Sequence, residues 1–324
     1  MHPKAEVGKP LTVQPNITLR DLKTQYSDDD ACKKLLMEMR WPDGKITCPR
    51  CGETERVYTL KAKPFHWVCK SGKLAVTNEG WKETTCHRRN GYRFSVLTGT
   101  IFENTNYPLS IWFEVIYLMT QSKKGISALQ IHRQIGSGDY RTAWYMCMRI
   151  RGAMEDKEFP KLMGEVEVDE TYMGGKRRFM HANKRRPDGW GTKGKTPVIG
   201  AISRKGSVVA QMCDYVDERQ AHKFIQKVVD PNVTLISTDE AGIYRNLDKL
   251  GYRHETVDHK AEEYVRGDAG TQNIDNFWSM LKRGVVGTYH KVSAKYLPMY
   301  LAEFQFRYNA RRDPDIFRKV LAGC

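Results

Sequence analysis

No apolar run in this 324-residue chain is long enough to cross a membrane. A spanning helix needs about 20 mostly apolar residues. The longest candidate, YPLSIWFEVIYLM at 107–119, is shorter and carries Glu114. The first thirty residues are polar and lack the apolar segment of a secretory signal. A soluble cytosolic protein with no membrane partner is therefore expected. Cysteine is too sparse for a secreted disulfide scaffold, with eight in the whole chain; in a reducing compartment, clustered cysteines point to metal instead. There is no internal repeat and no low-complexity tract. Acidic residues fall short of basic ones, 38 against 53, which leaves a net charge of +15. A surface of that sign attracts polyanions, of which nucleic acid is the commonest.

Residues 1–18 read as a loose tail. In SDDDACKKLLMEMRW, Ser27 reads as an N-cap followed by three acids in the first turn, which marks a helix start. CPRCG, at 48–52, has the spacing of a zinc knuckle, in which two thiolates reach one ion from a tight loop. Cys69 and Cys86 are the available second pair, although sixteen residues separate them. The intervening stretch reads as an insertion, and His66 and His87 are alternative ligands. Cys32, Cys147, Cys213 and Cys324 stand alone and read as ordinary thiols.

Three amphipathic helices follow: PLSIWFEVIYLMTQ, ISALQIHRQIG and YRTAWYMCMRIRGAM. The last two, joined by a short glycine-containing turn, with Arg141, Arg149 and Arg151 on the second, suggest a helix-turn-helix and DNA binding. From Gly164 the pattern changes. EVEVDETYM, PVIGAIS and SVVAQMCDYV read as strands, ERQAHKFIQKVV as a helix and VTLISTDE as a buried strand. GIYRNLDKLG reads as a helix, RHETVDH as a strand, and two helical stretches close the chain. That order predicts an α/β region built on one mixed sheet.

Asp169 lies near the end of the first predicted strand of this region and Asp239 at the end of the fourth. If the two strands are neighbours, both carboxylates come within reach of one metal, and carboxylate oxygens suit Mg²⁺. Asp275 sits on a helix whose Ile274, Phe277, Trp278 and Leu281 form one apolar face. Lys282, seven residues on, lies on nearly the same side as Asp275. Three carboxylates and a lysine in this order describe a two-metal phosphoryl-transfer site. The run KRRFMHANKRRPDGWGTKGK, at 176–195, holds eight basic residues and one acid. Lys176, Arg177, Arg178, Lys184, Arg185 and Arg186, interleaved with Phe179 and Trp190, are its candidate DNA contacts.

VEVDETYMGGK, STDEAGIYRNL and IDNFWSMLKRGVVGTYHKVSAKYLPMYLAEFQFRYNAR resemble the three blocks of the ISXO-like insertion-sequence transposases. MRWPDGKITCPRCG and YRFSVLTGTIFENTNYPLSIWF resemble the zinc-ribbon and linker blocks of the same family. The resemblance runs over residues 18–312 and implies a multidomain α/β protein. Its expected parts are an N-terminal tail with helices (1–45), a zinc ribbon (46–105) and a helical, helix-turn-helix-like DNA-binding domain (106–158). An RNase H-like mixed β-sheet flanked by helices (159–312) and a C-terminal tail (313–324) follow.

The implied activity is DDE-type cleavage of transposon-end DNA followed by strand transfer to target DNA. Asp169 and Asp239 match the first two metal ligands. Asp275 stands where relatives usually carry Glu or, in some, Asn, so Asn273 and Asn276 are alternative third ligands. Lys282 matches a recurrent basic position, and His259 a supportive one. Two Mg²⁺ or Mn²⁺ ions, a structural Zn²⁺ held by Cys48, Cys51, Cys69 and Cys86, and a homo-oligomer on double-stranded inverted-repeat DNA complete the expectation. The implied compartment is the bacterial cytosol, at the nucleoid. The alternative is an inactive or domesticated DNA-binding remnant.

Overall fold

The computed structural model describes residues 17–72, 86, 89–136, 138–156, 159–175, 194–239, 242–257, 265–266 and 269–324. The basic run at 176–193 and His259 lie outside the described residues. The chain divides into two compact units, one of residues up to Tyr117 together with Arg312–Cys324, the other Leu118–Arg311.

In the first unit, α1 (Leu19–Gln25) opens on a capping box between Thr18 and Asp21. α2 (Asp29–Arg40) is capped by Asp28, which accepts from the Ala31 amide, so the cap lies one residue beyond the expected Ser27. Three short strands follow: β1 (Val57–Thr59), β2 (His66–Cys69) and β3 (Tyr92–Ser95). They form an antiparallel sheet in chain order. Buried aromatics give this small sheet its core. The Trp41 and Trp67 rings meet edge to face at 5.1 Å, and Phe94 stacks on Trp67 at 5.9 Å. α3 (Leu109–Gln121) starts in this unit, where Phe113 packs against Tyr26 and Phe317.

The second unit begins with α4 (Ala128–Ile135) and α5 (Tyr140–Ala153). Between them Gly136 adopts the left-handed C-cap conformation and Asp139 caps α5 through the Thr142 amide. Arg141 and Tyr145 are exposed on α5, and Arg149 donates to the Tyr145 hydroxyl. Arg151 leaves the basic face predicted from sequence. It is 1% exposed, and its Nε donates to Glu303 Oε2 at 2.7 Å. Tyr289 donates to the same carboxylate, and the guanidinium stacks 4.1 Å over the Tyr300 ring. Removing one member of such a buried pair strands the other charge, at a typical cost of about 3–5 kcal/mol. Glu303→Ala is therefore expected to destabilise this unit by about that amount, read as a lower denaturant midpoint; an unchanged midpoint would contradict it.

The sheet of this unit has five strands: β4 (Glu165–Met173), β5 (Thr196–Ser203), β6 (Val208–Met212), β7 (Leu235–Asp239) and β8 (His254–Val257). Their order is β6-β5-β4-β7-β8. β4, β5 and β6 pair antiparallel, whereas β4–β7 and β7–β8 are parallel. α6 (Glu218–Val228) covers one face, packing Phe224 and Ile225 on Val166 and Val168. α7 (Gln272–Gly284) and α8 (Leu297–Asn309) cover the other through Ile274, Phe277, Trp278 and Phe304. The segment GIYRNLDKLG, expected as one helix, forms two 3₁₀ turns, Gly242–Tyr244 and Leu247–Leu250. Asn246 between them takes a left-handed conformation, φ 63°, which no α-helix can carry through. Among the described residues, no helix is long and apolar enough to cross a membrane.

Candidate metal centres

The acidic site follows from strand register. β4 pairs β7 as Glu165↔Leu235, Val166↔Ile236 and Glu167↔Ser237, an offset of 70. Asp169 and Asp239 carry the same offset (239 − 169 = 70) and so occupy matching places just past the paired segment. Neighbouring strands lie about 4.8 Å apart, so two carboxylates at matching register positions on the same face converge. Ligand oxygens of Asp169, Glu170 and Asp239 all lie within 4.8 Å of one another. These are the hard oxygen donors that Mg²⁺ and Mn²⁺ take.

α7 is tied to β4 at two levels. Its N-cap, Thr271, makes no side-chain capping bond. The carboxylate of Glu167, 1% exposed, takes that place by accepting from the Asn273 and Ile274 amides at 2.8 and 3.0 Å. The Asn273 side-chain amide also donates to Glu167, at 2.7 Å. Farther along the helix, the Trp278 indole N–H donates to Asp169 Oδ2 at 2.9 Å. The indole can lie there because Gly200, the β5 partner of Asp169, has no side chain. A Cβ at Gly200 would come within 2.7 Å of the Trp278 ring. Asp275 sits between these two ties; it is exposed, and its Oδ2 accepts from the Thr271 hydroxyl at 3.5 Å.

Beside the acids lies a cleft of about 860 Å³, lined by Asp169, Glu170 and Asp275 and by the cations Lys124, Lys282 and Arg283. Asp239 adjoins this cleft through Asp169 and Glu170 without lining it. Asn276 is exposed on the same helix and outside the lining. Sequence reasoning assigned no role to Lys124, which comes from the loop before α4, or to Trp278 beyond its place on an apolar face.

The second centre is in the first unit. Cys48, Cys51, Cys69 and Cys86 each place a sulfur within 4.8 Å of the other three. Cys48–Cys86 and Cys51–Cys69 are 3.9 and 3.6 Å apart. A tetrahedral Zn²⁺ with about 2.3 Å bonds sets its sulfurs about 3.8 Å apart, and a disulfide would need about 2.0 Å. The donor set and its spacing therefore fit zinc. Gly52, at φ 69°, lets the knuckle turn, with its amide on the Cys48 carbonyl at 2.9 Å. His66 points elsewhere, its Nδ1 lying 2.8 Å from the Pro64 carbonyl. His87 is outside the described residues.

Residues 161–309 match the family described as the ISXO2-like transposase domain, and residues 27–73 match the transposase zinc-ribbon domain. The chain thus carries an ISXO2-like transposase domain together with a transposase zinc ribbon. A relative across nearly its whole length is an uncharacterised protein in transposable element ISH50 of Halobacterium salinarum. It is 26% identical over 304 residues, 90% of this chain and 95% of the relative. A chain of a simian T-cell lymphotropic virus intasome, solved in complex with the PP2A regulatory subunit B56 gamma, aligns at 12% identity and a TM-score of 0.29. The alignment covers 60% of this transposase and 65% of that chain, a superposition too poor to carry any inference.

Electrostatics in this transposase are dominated by carboxylate crowding. Burial first, then the charges of Glu170, Asp239 and Asp275, push the Asp169 carboxyl up to about 7 from its usual range near 3.8. The sign of the linkage follows. The folded chain holds this proton where the unfolded chain has lost it, so metal-free stability falls as pH rises from about 4 to about 7. A divalent cation must displace the same proton. Mn²⁺ affinity, followed by calorimetry, is expected to weaken about tenfold per pH unit below 7. In the metal-free Asp169→Asn protein the fall in stability between about pH 4 and about 7 should disappear; a fall that persists in the variant would assign the proton elsewhere.

Proposed function

We propose that this transposase cleaves transposon-end DNA and joins the freed 3′-hydroxyl to target DNA, using an RNase H-like catalytic sheet. The observation that carries the reading is the convergence of Asp169 and Asp239 at matching register positions of neighbouring parallel strands, beside a cleft that Lys124, Lys282 and Arg283 also line. Two Mg²⁺ or Mn²⁺ ions, when bound, supply activation of the attacking oxygen and stabilisation of the leaving one. The protein's part is to position. Asp169, Asp239 and Asp275 hold the ions, and the Trp278 indole fixes the Asp169 carboxylate in place through Oδ2. Lys282, Arg283 and Lys124 meet DNA phosphates across the cleft. Asp275 is favoured over its asparagine neighbours as third ligand, because the Asn273 amide is engaged by Glu167 and Asn276 is outside the cleft lining.

The exposed Arg141 and Tyr145 and the half-buried Arg149 of α5, the zinc ribbon and the basic 176–186 segment are assigned to the transposon ends, which two or more copies of the chain bring together. A DNA-binding remnant without catalysis is the second reading, favoured only by the exposure of Asp275 outside the close cluster. Incubation with DNA carrying the element's terminal repeats, with Mg²⁺ or Mn²⁺, separates the two. Nicked ends and joined products support the enzyme; specific end binding with no cleavage under either ion supports the remnant.

A further inference from the structure

The geometry points to Glu170 as a further metal ligand of this site, held in place by the phenol of Tyr244. The inference rests on the metal-dependent reading above. Alternation along β4 puts Glu167 and Asp169 toward α7, whereas Val166 and Val168 pack with Tyr244 under α6. Glu170 continues this second face. By strand geometry alone it should point away from Asp169.

Two observations show that its carboxylate turns back to the strand end. Its oxygen lies within 4.8 Å of ligand oxygens of both Asp169 and Asp239. Tyr244, fully buried in the apolar cluster under α6, donates its hydroxyl to Glu170 Oε2 at 2.7 Å. A buried phenol requires a polar partner. Here the partner is the Glu170 carboxylate, which also lies within reach of Asp169 and Asp239.

The span of the three carboxylates suits one hard cation, whose oxygen ligands sit about 2.0–2.6 Å from it. Asp275 does not belong to this close set. Asp169 belongs to this close set and also shares the cleft lining with Asp275. Glu170 supplies the longer reach that the short side chain of Asp275 lacks. Tyr244 is a positioning residue that acts through Glu170.

Mn²⁺ binding to the full-length, zinc-loaded protein, followed by electron paramagnetic resonance at pH 7.5, tests this with Glu170→Gln, Tyr244→Phe and Asp239→Asn. Glutamine keeps an acceptor for the Tyr244 hydroxyl and removes only the charge. Glu170→Gln is expected to weaken Mn²⁺ by about 100-fold, comparably to Asp239→Asn, and Tyr244→Phe by about tenfold. Metal-free melting of Glu170→Gln should match or exceed wild type. Wild-type affinity in Glu170→Gln, with binding lost in Asp239→Asn, would overturn the role of Glu170 alone. Absence of Mn²⁺ binding in the wild type would overturn both this inference and the metal-dependent reading.

Discussion

Asp239→Ala is expected to lower transposon-end cleavage by at least about a thousandfold, because charge stabilisation supplies most of the rate in phosphoryl transfer. Asp169→Ala should do the same. Neither loss should come from unfolding. Asp239 is half-buried at a strand end, and Asp169 is held among like charges that burial makes worse. Relieving that repulsion should leave the metal-free Asp169→Ala protein at least as stable as wild type between pH 7 and 8. Gel-resolved cleavage of labelled ends, paired with melting curves, checks both parts. Asp275→Ala and Lys282→Ala should lose less, since both lie on the exposed side of the cleft. Full activity in Asp239→Ala would remove the carboxylate pair from the chemistry.

Replacing Cys69 by serine is expected to release zinc and unfold the three-stranded ribbon. Structural zinc contributes about 10–16 kcal/mol of apparent folding free energy in small zinc domains. The ribbon's own sheet, with strands of only three or four residues, cannot replace that. Burial pushes the Cys48 thiol up to about 11 and raises Cys86 further, so these two lose their protons readily only beside a cation. Trp67 lies in β2 against Trp41 and reports the change through its fluorescence. Native mass spectrometry should show one zinc per chain in the wild type and none in the variant. An unchanged emission spectrum and melting curve after chelation would contradict a structural role for the metal.

Several of these features were legible in sequence because their signals are local. The segments VEVD and LISTD each close on an aspartate, and the parallel register of β4 with β7 brings Asp169 and Asp239 together. The four cysteines also converge as spacing suggested, across the insertion between Cys69 and Cys86. What escaped depends on residues far apart in the chain. Glu167 caps a helix 106 residues away, and no local pattern distinguishes it from a solvent-facing strand acid. Glu170 takes its hydrogen bond from Tyr244, 74 residues on, a partner that no local pattern marks.

The misplacement of Arg151 was avoidable. Two residues along a helix rotate by about 200°, so Arg149 and Arg151 cannot share one face. The helix expected at 242–251 failed at Asn246, where a single left-handed residue breaks the ladder.

The central claim is that these carboxylates hold cations against the scissile phosphate. Its most direct test replaces a non-bridging oxygen of that phosphate by sulfur and measures cleavage by the wild-type protein in Mg²⁺ and in Mn²⁺. Sulfur is a poor partner for Mg²⁺ and a better one for the softer Mn²⁺. The account predicts strong loss of cleavage in Mg²⁺ for one sulfur diastereomer and recovery in Mn²⁺. Equal rates in both ions for both diastereomers would contradict metal contact with the reacting phosphate.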